Sequence, residues 1–119
     1  MPEPKAHLDV SETDGVTVAR FTERKMLDEM AIAEIGQELS SLIADRRSPK
    51  LVLDFSGVSH MSSSALGMLI TLHKRMKDKD GQLRLACIES KIYEVFVITR
   101  LNEIFEIHST VDSAVESLR

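Results

Sequence analysis

The sequence predicts an α/β fold: a mixed, mostly parallel sheet of about five strands with about four helices packed on it. Three observations carry this expectation. After an opening strand pair, short aliphatic and β-branched runs alternate with apolar stripes at helical spacing. Strands separated by helices pair in parallel through crossovers, whereas the first two strands are close enough to share a tight turn. Finally, 119 residues of which 43% are hydrophobic supply one core and too little length for two, so residues 1–119 are read as a single domain.

The elements follow in order. "HLDVSETDGVTVARF" reads as two strands joined at the turn signal "TDG", with Val16, Val18 and Phe21 fitting strand preferences. From Asp28 to about Arg46, Ile32, Ile35, Leu39, Leu42 and Ile43 form a helical stripe, with acids near its start, Arg46 and Arg47 at its end and Pro49 to stop it. "KLVLDF" is a strand buried on both faces. A helix then begins in "HMSSSALGML" and runs to about Lys77; "DKDG" turns the chain, and "QLRLAC" alternates as a strand. A helix over about Ser90 to Arg100, a short strand "IFEI" and a last helix from Val111 to Leu118 complete the order ββαβαβαβα. In such a fold, loops and helix N-termini gather at the carboxyl ends of the strands, where sites usually form. The serine cluster sits at such an end, just after "LVLDF".

Composition narrows the chemistry. Cys87 is the one cysteine, so no internal disulfide and no cysteine pair for zinc exist. His7, His60, His73 and His108 are scattered, form no helical pair and give no metal signal, and His73 is read as a packed histidine. A net charge of −4 and few aromatic residues argue against direct nucleic-acid binding. No apolar run approaches the roughly 20 residues of a membrane-spanning helix. The start "MPEPKAHLDV" lacks a basic segment followed by an apolar one, so a cytoplasmic protein without a signal peptide is expected. No cofactor is expected.

Three serines before an apolar helical pattern need an account. Placing Leu69 at the centre of the buried face, at 100° per residue, puts Ser62, Ala65, Leu66, Leu72, His73 and Met76 near it. Ser63, Gly67, Ile70 and Lys74 form a second stripe, roughly 90 to 160° away and partly exposed. That stripe suits docking, because Gly67 admits close approach to the backbone and Ile70 offers apolar area. Alternatively, Gly67 packs against a neighbouring element and Ile70 reaches the edge of the core. Ser62 is read as the helix cap; Ser63 is either solvated or a phosphoacceptor, whose phosphate the helix N-terminus would favour. Asp54, at the end of "LVLD", either orients a serine hydroxyl or accepts from backbone donors in the following turn. A serine hydrolase pairing Ser62, Ser63 or Ser64 with His60 lacks the glycine-serine-glycine elbow, so no catalytic residue is assigned and the protein is expected not to be an enzyme.

Two stretches, "LVLDFSGVSHMSSSALGMLI" and "VFVITRLNEIFEIHSTVDSAVESL", together with the hairpin and first helix before them, resemble the STAS domain family, specifically its small single-domain anti-sigma-factor antagonists. The first is similar to that family's strand, Asp, turn and "D-S-S/T-G-L-G" helix start, and the second to its "T-G-L" step before "F-x-I" and a final helix. The resemblance implies that Ser63 is phosphorylated by a partner anti-sigma kinase of the ATP-binding GHKL type, and that the unphosphorylated protein binds that kinase and releases a sigma factor. It places Ser64 at the following Ser/Thr and Leu66 and Gly67 at "L-G". Ser62 stands where the motif has Asp, Ala65 where it has Gly, and Arg100 at the glycine of "T-G-L". On this reading Ser62, Ser63, Ser64, Gly67, Ile70 and Lys74 bind the partner and Asp54 supports them. The family also implies an alternative, a non-switching subunit of a lipid-transport ABC complex or a stress-signalling scaffold.

Overall fold

The structure, a computed structural model, describes residues 7–119. The reading of the chain start rests mainly on residues 1–6, which lie outside the described residues.

Strands β1 (Leu8–Thr13) and β2 (Val16–Phe21) form the expected hairpin, with Leu8 opposite Phe21 and Thr13 opposite Val16. Its turn uses Asp14 and Gly15, both at positive φ, as a two-residue antiparallel connection requires. Helix α1 (Glu29–Ile43) starts at Asp28, whose carboxylate accepts from the Ala31 N–H at 3.1 Å. It buries Ile32, Ile35, Leu39 and Ile43 and ends three residues before Arg46, because the last carbonyls are taken by a turn and by the Lys79 ammonium on Ala44.

Strand β4 (Lys50–Asp54) leads to helix α2 (Ser63–Asp78); β6 (Gln82–Ala86) leads to α3 (Ser90–Ile98), which stops short of the predicted Arg100. There Arg100 adopts the left-handed conformation, φ 62° and ψ 17°, and its N–H caps the Val97 carbonyl at 3.1 Å. A 3-10 turn over Leu101–Glu103 follows, then β7 (Glu106–His108), displaced by about one to two residues from the expected "IFEI", and α4 (Val111–Glu116).

The five-stranded sheet has the order β1-β2-β4-β6-β7; only β1 runs antiparallel to its neighbour. Alternation of side chains splits β4 between two cores. Leu51 and Leu53 join Phe21, Leu85 and the buried faces of α1, α2 and α3, while Val52 joins Val16, Val18 and Ala86 beneath Ala114, Val115 and Leu118 at the C-terminal end. A second, two-stranded parallel sheet of β3 (Lys25–Met26) and β5 (His60–Met61) was not foreseen, since two residues carry no readable period. It pairs Met26 with Met61 and so fixes the entry of the chain into α2.

Candidate functional site at the N-terminus of α2

The three serines have three different surroundings. Ser62 is the N-cap, with extended backbone (φ −88°, ψ 170°) and an Oγ that accepts from the Ala65 N–H at 3.3 Å. Its own N–H donates to the Met26 carbonyl at 3.0 Å, a contact supplied by the small sheet. Ser64 donates from Oγ to the Glu29 carboxylate at 3.4 Å, which joins the first turn of α2 to the first turn of α1. Ser63 is exposed, and its hydroxyl has no hydrogen-bond partner among the described residues. It stands over the unsatisfied N–H groups of a 16-residue helix with no acid in its first turn. A negatively charged group there would be favoured by the helix and would displace no existing contact.

Along the same face, Gly67 and Lys74 are exposed and Ile70 is half-buried, as the periodicity predicts. Of the two readings of Gly67, the packing one is removed: a Cβ built there meets nothing within 4 Å. For Ile70 the core-edge reading holds, since it packs against the main core while keeping part of its surface open. Among the expected core positions of α2, Ala65, Leu66, Leu69, Leu72 and Met76 are buried. His73 is half-buried, edge-on to Phe105 with ring centroids 5.4 Å apart. Burial and the nearby Lys77 charge lower its pKa, favouring the neutral ring expected of a packed histidine.

Asp54 does not orient a serine. Its Oδ1 accepts from the Ser56 N–H at 2.9 Å, and the residue is 9% exposed. Alternation decides this: α2 packs on the Leu51 and Leu53 face of β4, and Asp54 shares the opposite face with Val52. There it neighbours the half-buried Cys87, whose thiol pKa is pushed up by burial and by the Asp54 charge. His60 pairs through Nδ1 with the Ser59 hydroxyl at 2.9 Å, and none of its described hydrogen bonds reaches Ser62, Ser63 or Ser64. No cluster of three or more potential metal ligands occurs among the described residues, and no helix there is long and apolar enough to cross a membrane.

Sequence reasoning missed the contribution of α1. The β3–β5 pairing sets Leu27 next to Ser62, and Glu29 follows to meet Ser64. Leu27 is 50% and Met30 73% exposed, two large apolar side chains in the segment that pairs with the serine cluster. For Met30 the signal was present: it lies on the side of α1 opposite the Ile32, Ile35 and Leu39 stripe, whereas Leu27 precedes the Asp28 cap and belongs to no stripe.

The chain is similar to known proteins over most of its length. The family model for the STAS domain matches residues 7–114. Two proteins named anti-sigma-B factor antagonist, from Listeria monocytogenes and Listeria innocua, are each 32% identical over 57 residues, 48% of this chain and 50% of theirs. The match thus spans about half the length of these curated relatives. Among solved structures, an anti-sigma-factor antagonist (STAS) domain protein from Planctomyces limnophilus superposes with a TM-score of 0.85, at 24% identity, over 94% of this chain and 97% of that one. The Bacillus cell fate determinant SpoIIAA in its phosphorylated form superposes with a TM-score of 0.70 at 20% identity, over 94% and 99% of the two chains.

Proposed function

Because the chain belongs to the STAS domain family, we propose that it is an anti-sigma-factor antagonist-like regulatory binding module, a single STAS domain over residues 1–119, and not an enzyme. Its partner is an anti-sigma kinase of the GHKL type. Unmodified, the module docks on that kinase through the start of α2 and releases a sigma factor; phosphorylated on Ser63, it does not dock. The setting is cytoplasmic, without nucleic-acid contact or membrane insertion by the module itself.

The observation that carries the reading is the division among the serines. Ser62 is used by the cap and Ser64 by Glu29, whereas Ser63 alone of the three is exposed with a hydroxyl free of described partners. Phosphate on Ser63 adds about −1.5 to −2 charge at the one end of α2 that tolerates it. The fold therefore keeps its shape, and the penalty falls on the partner, which must bring its surface against a doubly charged group. Ser62, Ser63, Ser64, Gly67, Ile70 and Lys74 form the docking face. Asp54 contributes through the turn that follows β4, by holding the Ser56 N–H.

The test compares Ser63→Asp with Ser63→Ala for kinase binding by calorimetry, with circular dichroism as the check on folding. Ser63→Asp should bind at least about tenfold more weakly while melting no lower than the wild type. Equal binding of the two variants rejects the switch. A second reading, a permanent STAS subunit of a transporter complex or a scaffold, draws on Ser62 standing where the motif has Asp. Protein isolated from its native cells with no phosphate, bound to such subunits, would put that reading first.

A further inference from the structure

His7 precedes β1 with its side chain 14% exposed, and both of its ring nitrogens meet carboxylates from other elements. Nδ1 lies 2.5 Å from Glu23, in the loop after β2, and Nε2 lies 3.2 Å from Glu34 on α1. A third acid, Glu38, stands one turn beyond Glu34, and its charge also acts on the ring. One of its carboxylate oxygens, Oε1, is buried without a hydrogen-bond partner among the described residues. Only the imidazolium can donate from both nitrogens; the neutral ring keeps one N–H and turns a lone pair towards the other carboxylate. Burial of the ring opposes its charge, but the two carboxylate bonds and the Glu23 and Glu38 charges outweigh it and raise the pKa above the ordinary 6.5.

These contacts bear on the segment that guides the chain into α2. The Thr22 N–H donates to the His7 carbonyl at 3.0 Å, so residues 22 and 23 are held to His7 by backbone and side chain together. The residues that follow carry the small sheet. The Arg24 carbonyl accepts from the Ser59 N–H at 2.8 Å and from its hydroxyl at 3.2 Å, and the Met26 carbonyl accepts from the Ser62 N–H at 3.0 Å. Two strands of two residues each have little stability of their own and open locally unless their flanks are fixed. We propose that His7 is a proton-controlled clamp that, when charged, fixes residues 22–26 and with them the β3–β5 pairing at the entry to α2. Loss of the proton leaves Glu23, Glu34 and Glu38 around a neutral ring. Glu34 and Glu38 are fixed on a helix, so the repulsion is relieved by the loop that carries Glu23, and the pairing opens. Because the folded-state pKa is raised, the clamp is closed below about pH 6.5 and opens as pH rises through the shifted value. The device acts on the backbone around the serines and does not depend on the reading of Ser63.

Nuclear magnetic resonance on the full chain tests this by imidazole titration and amide exchange, with exchange expressed as protection relative to an unstructured peptide so that base catalysis cancels. The His7 ring should titrate above 6.5. From about pH 6 to 9, protection of the Ser59 and Ser62 amides should fall about threefold or more, both staying below that of Leu53 and Leu85 in the sheet, as local opening requires. His7→Gln removes the titrating charge, and Glu23→Gln keeps the imidazole and its bond to Glu34 but cuts the link to the loop. In each variant both amides should show the lower protection at every pH, with circular dichroism confirming that the variant folds. A His7 ring that titrates at or below 6.5 overturns the proposal. So does Ser59 and Ser62 protection that is constant with pH, that falls in Glu23→Gln as it does in the wild type, or that equals that of Leu53 and Leu85, which would be unfolding of the whole domain.

Discussion

Gly67→Ala separates the stability of α2 from the docking role proposed for it, because the two respond with opposite sign. Glycine in the interior of a helix costs roughly 0.5 to 1 kcal/mol relative to alanine, through the backbone freedom it gives up. A methyl group at position 67 enters open space, with nothing within 4 Å of the new Cβ, so no steric term offsets that gain. The variant should therefore melt about 2 to 5 °C higher than the wild type. In a complex whose partner seats against the helix backbone, the same methyl group overpacks the contact by about 1 to 3 kcal/mol. Binding should then weaken by about five- to a hundredfold. Thermal and urea denaturation measure the first effect and calorimetry with the partner the second. A destabilised variant would refute the open surroundings of Gly67. A stabilised variant that binds as tightly as the wild type would refute the docking face built on it.

Ser62→Ala should lower stability by about 1 kcal/mol, read as a lower urea midpoint at unchanged slope, because it removes the acceptor for the Ala65 N–H. Arg100→Gly, measured at low micromolar concentration, should raise stability by about 0.5 to 1 kcal/mol: relief of the left-handed backbone exceeds the added freedom of the unfolded chain. No gain would mean that the Arg100 side chain already offsets its conformation. His7 should make stability fall on the alkaline side. Burial of its ring lowers the pKa, but hydrogen bonds from Nδ1 to Glu23 at 2.5 Å and Nε2 to Glu34 at 3.2 Å, with the Glu23 and Glu38 charges, raise it overall above the ordinary 6.5. A raised folded-state pKa means the stabilisation is fully present below about pH 6.5 and is lost as pH rises through the shifted value. The difference in urea midpoint between wild type and His7→Gln should shrink from about pH 6 to 9, and a constant difference would contradict the sign.

The parts of this molecule legible in the sequence are those that repeat. Ile32, Ile35 and Leu39 recur at helical spacing, so α1 and its buried face could be read directly. The same argument separated Leu69 and Leu72 from Gly67 and Lys74 on α2, and both sets lie where the period puts them. Boundaries were less legible. Neither the stop of α1 at Ile43 nor that of α3 at Ile98 follows from hydrophobicity, because each is set by which groups reach the last carbonyls. The face of Asp54 was legible in principle: once Leu51 and Leu53 are assigned to the helix-covered side, alternation sends Asp54 to the other. What no local pattern contains is the approach of Glu29 to Ser64 across 35 residues, or the pairing of Lys25 with His60.

That long-range part decides what the serines can do. Three adjacent hydroxyls at a helix start are chemically alike, and local structure distinguishes only the cap from the other two. Glu29, brought in by the fold, engages Ser64 and leaves Ser63 apart. The arrangement also explains how a modification at position 63 can leave the domain intact: the cap bond belongs to Ser62 and the link to α1 belongs to Ser64. Glu29 should then carry a measurable share of the selectivity. Glu29→Gln keeps a hydrogen-bond acceptor for Ser64 but removes the carboxylate charge that accepts from it. Phosphate mapping after reaction with the partner kinase should therefore find Ser63 in the wild type and a divided signal over Ser63 and Ser64 in Glu29→Ala, which frees the second hydroxyl, with Glu29→Gln between them. An unchanged single site in Glu29→Ala would show that the kinase, and not this contact, chooses the serine.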